Sequence, residues 1–158
     1  MPNSVSLILH SIRRNHALEH ATIQILSARK KYSFLAGYSD WRGFWVLGDV
    51  DTLDLQNAAR EALSRLKGGE SHLAVHPHCG TNFAVSGLLA GSAAMLALAG
   101  ANSSRKKLER FPLLISLVTL ALIASETLGP KAQKHLTTCP QPGDLEIAYV
   151  QFAPVQFA

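Results

Sequence analysis

Cysteine is scarce in this chain. Only Cys79 and Cys139 occur among 158 residues, too few for a disulfide framework in a domain of this length. Charge is sparse as well. Asp, Glu, Lys and Arg make up 16% of the residues against 47% hydrophobic ones, a balance that excludes a disordered, self-repelling tail. The net charge of +4 is scattered, with short clusters at Arg29-Lys30-Lys31 and Arg105-Lys106-Lys107. No aromatic residues interleave with those runs, which argues against a base-stacking surface, and no nucleic acid is expected as a partner. The opening MPNSVSLILHSIRRNH has no basic stretch before its apolar run and no small-residue cleavage site. It is not expected to act as a secretory signal.

The chain does have long apolar runs. Residues 83–101, FAVSGLLAGSAAMLALAGA, carry no charge, and residues 111–129, FPLLISLVTLALIASETLG, carry one, Glu126. About 17 to 25 residues are enough for a helix to cross a bilayer. Two such runs would need more protein around them than this chain has if they were to lie in a soluble core. The pattern therefore predicts a transmembrane helical hairpin over 83–129, with the lipid bilayer as partner. Gly87 and Gly91 form a small-xxx-small step expected to let its two helices approach. The link 102–110 holds Arg105, Lys106, Lys107 and Arg110, against Lys131 and Lys134 after the second run. That distribution favours a cytoplasmic link, whereas an N-terminal part without a signal favours the reverse, so no side is assigned. Glu126 is either a functional acid inside the membrane or an interface residue beside Gly129 and Lys131.

The first half reads as α plus β. Apolar residues recur at helical spacing from Ser4 to Lys31, with Ser4 available as a cap. GFWVLGDV at 43–50 is rich in strand formers. Asp51 and Asp54 open a helix through LDLQNAAREALSRLK that Gly68-Gly69 should end. SHLAVH at 71–76 alternates like a strand, completing a βαβ-type unit. DLEIAYVQF at 144–152 reads as a strand returning to the same sheet. The expected fold is thus α+β: a domain over 1–82, the hairpin over 83–129, and a C-terminal segment over 130–158.

Two short strings carry chemistry. In HALEH, 16–20, His16 and His20 lie about 40° apart on one helical face, and Leu9, Ile12 and Ile23 extend that face inward. Buried histidines need partners. Either each ring is hydrogen-bonded to a neighbour, or both reach one metal ion, as i, i+4 pairs do in helical zinc sites. H-x-x-E-H is also the inverted zinc-peptidase pattern, in which Glu19 would act as the general base. In HPHCGTNF, 76–83, His76 and Cys79 stand three apart around a turn, and thiolate plus imidazole favours zinc. Cys79 could equally be a buried free thiol. His16, His20, His76 and Cys79 make a candidate four-ligand set, with His78 able to replace His76. His10, His72 and His135 read as surface or supporting residues.

HALEHATI together with HPHCGTNF resembles a group of bacterial membrane proteins that includes the YqhQ-like family, in which an H-x-x-E-H string precedes an H-P-x-C-G-T one. The resemblance covers the two motifs and the following hairpin. It implies a metal-dependent protein of the bacterial inner (plasma) membrane, with His16, Glu19, His20, His76 and Cys79 at the metal site. Ala21 stands where a lysine is usual and Leu18 where a small residue is.

Two functions fit. One is a membrane-anchored zinc hydrolase or peptidase, with three protein ligands and Glu19 as catalytic base. The other is a non-catalytic assembly subunit for a membrane protein partner, with four ligands closing a structural zinc site.

Overall fold

The computed structural model describes residues 4–30, 32 and 34–152. It is α+β, mostly helical with one small sheet, and divides into two compact units, Met1–His76 with Leu136–Ala158, and Pro77–His135.

In the first unit, helix α1 spans Ser4–Arg29; the remainder of the expected helix reaches Lys31, which lies outside the described residues. Its first turns are exposed, whereas most of Ala17–Leu26 is buried. Two antiparallel strands follow, β1 (Ala36–Ser39) and β2 (Phe44–Leu47), in the register Ala36↔Leu47 to Ser39↔Phe44. The expected strand at 43–50 is therefore real but shorter, and its partner at 36–39 was unforeseen. The Asp40 carboxylate accepts from the backbone N–H of Arg42 at 2.6 Å and of Gly43 at 3.2 Å, an Asx-type turn that joins the strands.

Helix α2 (Thr52–Lys67) begins where Asp51 accepts from the N–H groups of Leu53 and Asp54, at 2.7 and 3.4 Å. Those donors would otherwise lack partners in the first turn. It ends at Gly68, and Gly69 takes φ 93°, a conformation glycine adopts without a side-chain clash. The core joins Ala17, Leu18, Ala21, Ile25 and Leu26 of α1 to Ala58, Ala62 and Leu66 of α2. Small alanines allow the helices to approach closely, while Leu26 and Leu66 each contribute about 1.5–3 kcal/mol by burial.

Residues 71–76 are not a strand. Ser71–Ala74 forms a 3-10 turn, so no βαβ unit is present. The alternation of SHLAVH was misleading because α1 side chains, rather than a neighbouring strand, take up its carbonyls. Gln24 Nε2 donates to Leu73 O at 2.8 Å and to Val75 O at 3.1 Å. Arg65 and Glu70 close the preceding bend with a two-pronged ion pair, 2.9 and 2.6 Å. The hydrogen bond from Arg65 holds the Glu70 carboxyl below its usual range. Residues 144–152 also form no strand; Leu145 and Ile147 simply pack on the core. Residues 153–158 of the expected C-terminal segment, and residues 1–3 of the expected first domain, lie outside the described residues. Residues 137–144 run along α1, held by Arg13 Nη2 to Thr138 O (3.0 Å), Cys139 N to Arg13 O (2.9 Å) and an Arg14–Asp144 ion pair of 2.6 Å. The last bond lowers the Asp144 carboxyl from its ordinary value.

The second unit contains helices α3 (Gly80–Leu98), α4 (Ser104–Glu109) and α5 (Phe111–Ala132), the last running into a π turn at Gln133–Thr137. Gly80–Leu98 and Phe111–Thr137 are long and apolar enough to cross a membrane, with only 11% and 6% of their most apolar stretches buried. The close approach between α3 and α5 is not at Gly87 or Gly91, where an added Cβ would meet nothing within 4 Å. It is at Gly129, where a Cβ would lie 2.5 Å from Asn82 Oδ1. Gln133 Nε2 donates to that same oxygen at 2.6 Å, and Ser86 and Ser125 hydroxyls meet at 2.7 Å. Polar pairing inside the hairpin thus replaces the glycine step. Glu126 is exposed on α5.

Candidate metal centre

Helix α1 presents two polar ladders to two different neighbours. Asn15 and Glu19, four residues apart, face the β hairpin. Asn15 Nδ2 donates to Asp40 O at 2.8 Å, and the Ser39 hydroxyl donates to Glu19 Oε2. Glu19 is buried, and its carboxylate lies so close to β1 that a Cβ on Gly37 would collide with Oε1. Glycine at 37 is what admits the carboxylate.

The second ladder is His16, His20 and Gln24, at i, i+4 and i+8. The rings of His16 and His20 are 4.3 Å apart between centroids, and the His76 ring is 5.7 Å from that of His20. His20 is 2% exposed, and His16 and His76 are half-buried. His16 Nδ1 is 3.0 Å from Thr137 O, and His20 Nδ1 is 2.8 Å from Ala74 O. A carbonyl oxygen only accepts, so each Nδ1 is the donor. In the neutral ring the lone pair then resides on Nε2 in both residues. Metal-binding histidines typically have this arrangement, the far nitrogen held by a carbonyl so that the near one can coordinate. The chemistry of the donors fits a metal ion.

The remaining expected residues are placed as follows. Cys79 belongs to the second unit, where it is buried and caps α3, its sulfur accepting from the Thr81 N–H at 3.4 Å. His78 is exposed in that unit. His10, His72 and His135 are exposed too, in keeping with surface roles. Sequence reasoning missed Gln24, although its place eight residues after His16 on the same face was a readable signal. It also missed the carbonyls of Ala74 and Thr137, which no side-chain pattern encodes.

Residues 11–150 match a family described as a domain of unknown function, DUF6391. The chain belongs to DUF6391. The match takes in the histidine ladder, the β hairpin and both long apolar helices. A protein similar to this chain is the uncharacterized protein SYNPCC7002_A1392 of Picosynechococcus sp. (strain ATCC 27264 / PCC 7002 / PR-6), 39% identical over 145 residues. The alignment covers 80% of this chain and 65% of that protein's length. No solved structure matches.

Proposed function

We propose that this DUF6391 chain is an integral membrane protein that holds one zinc ion on His16, His20, His76 and Cys79. The observation that carries the metal reading is the pair of Nδ1–H bonds to Thr137 O and Ala74 O, which turn two adjacent imidazoles into Nε2 donors. His16, His20 and Cys79 would supply two imidazole nitrogens and a thiolate, a donor set able to take a metal ion. Adding His76 makes a set that favours zinc. The likeness of the paired motifs to the YqhQ-like group supports the same residues and a bacterial plasma-membrane location. His16, His20, His76 and Cys79 would hold the ion, and bound there it would supply a cross-link between donors far apart in sequence. The role we assign is structural, in a subunit that assembles with another membrane protein.

Full-length protein purified in detergent with zinc supplied is expected to retain a single zinc per chain. Retention should fall as pH is lowered, because imidazole and thiolate must lose their protons to bind. Metal analysis showing no retained zinc near neutral pH overturns the proposal.

The H-x-x-E-H spacing favours a second reading, a zinc hydrolase in which Glu19 takes a proton from attacking water. The placement of that carboxylate against Gly37 and Ser39 favours the structural role instead. Glu19→Gln is expected to keep zinc and fold, since the amide oxygen still accepts from the Ser39 hydroxyl. If wild-type proteoliposomes cleave a peptide and the Gln variant, zinc-loaded, does not, the hydrolase reading replaces ours.

A further inference from the structure

The β hairpin has one face packed and one face open. Alternation along the strands turns Phe44 and Val46 inward, with Gly37 and Ser39 against Glu19, and turns Tyr38, Trp45 and Leu47 outward. An antiparallel sheet with one covered face ordinarily carries polar residues on the other. Here the open face is aromatic and aliphatic. Tyr38 is 62% exposed, Trp41 at the turn 54%, and Trp45 42%. Leu47 extends the patch along β2, and Phe34, just before β1, is exposed as well. The Tyr38 and Trp45 rings, cross-strand partners, lie 5.7 Å apart. An open apolar face of this kind marks a contact surface rather than ordinary solvent exposure.

The chemistry of the face identifies what covers it. Tyr and Trp pair an apolar body with a polar edge, the combination enriched where acyl chains meet headgroups. At the tip, the Arg42 guanidinium sits 4.8 Å from the Trp41 ring centre. The neighbouring Asp40 carboxylate is half-buried and turned back onto the turn N–H groups, whereas Arg42 is exposed, so the cation is the more accessible of the two charges at the tip. A guanidinium beside an interfacial ring suits a lipid phosphate. Of the other acidic residues near the hairpin, Glu19 is buried against its packed face and Asp49 lies beyond the last rung, away from the tip.

We propose that this hairpin face lies in the headgroup region of a lipid bilayer, with Trp41 and Trp45 as its anchors and Arg42 on lipid phosphate. The inference rests on the membrane reading above and adds a second contact, made by the unit that carries the histidines. Trp41 and Trp45 are the chain's only two tryptophans, so its intrinsic fluorescence reports on this face alone.

The test uses the full chain reconstituted in phosphatidylcholine–phosphatidylglycerol vesicles whose acyl chains carry bromine, a contact quencher, at a chosen depth. The expected result is loss of most of the tryptophan emission with bromine near the headgroup, a smaller loss with bromine near the chain ends, and little quenching by aqueous acrylamide. Vesicle flotation precedes the measurement. A chain that fails to float with the lipid overturns the membrane reading and this inference with it. A chain that floats, yet emits independently of bromine and is quenched by acrylamide, overturns the hairpin proposal alone and assigns the face to a protein partner.

Discussion

Changing His16 and His20 together to alanine is expected to abolish stoichiometric zinc binding. The two residues supply adjacent donors from consecutive turns of one rigid helix, and each ring is oriented by a carbonyl at 3.0 or 2.8 Å. A site built on a helix and fixed in this way is preorganised, so removing both donors leaves only His76 and Cys79, a pair too few for a zinc site. The stability effect should be unequal between the two positions. His20 is 2% exposed, and its loss strands the Ala74 carbonyl and opens a cavity, a combined cost of about 2–4 kcal/mol even without metal. His16 is half-buried, and its loss should cost less. Zinc content and thermal unfolding of the two single variants and the double, with circular dichroism to confirm folding, check both statements. A folded double variant that keeps stoichiometric zinc would remove His16 and His20 from the site.

Where the sequence was legible, local signals and tertiary contacts agreed. Helix α2 has its capping Asp51, its apolar period and its Gly68-Gly69 stop, and each can be read without knowing the fold. Helix α1 was readable for the same reason, and so was the facing of His16 and His20, which follows from helical geometry. The segment 71–76 was not, because its alternating pattern describes side chains, whereas its conformation is decided by what bonds its carbonyls. Those bonds come from Gln24 and His20, some fifty residues earlier. The hairpin helices show the same limit. A search for paired small residues selects Gly87 and Gly91, yet the contact is a lone glycine, Gly129, fitted over Asn82. The strand at 36–39 escaped notice because AGYS has neither the length nor the β-branched residues that mark a strand. Gly37 is there for Glu19, not for the sheet.

The chain is expected to stay with the membrane fraction after alkaline carbonate extraction. At 1.5 Å per residue, the 19 residues of Gly80–Leu98 and the 27 of Phe111–Thr137 extend about 29 and 40 Å, against a hydrocarbon core of about 30 Å. Their leucines point outward: Leu88 is 71% exposed and Leu120 62%. In water each such side chain forgoes about 1.5–3 kcal/mol of burial, and a handful would offset the roughly 5–15 kcal/mol by which domains are stable. In lipid the same side chains are solvated, while two polar pairs inside the hairpin, Ser86 with Ser125 and Asn82 with Gln133, satisfy each other. Substituting both Leu88 and Leu120 by arginine places a charge on the open face of each helix, at about 2.5–3.5 kcal/mol apiece near the bilayer centre. That double variant should shift partly into the carbonate supernatant, whereas the same substitutions at the exposed link residues Lys106 and Lys107 should change nothing. If the wild-type chain itself is released by carbonate, the outward leucines must be covered by protein, and the two long helices belong to a soluble assembly.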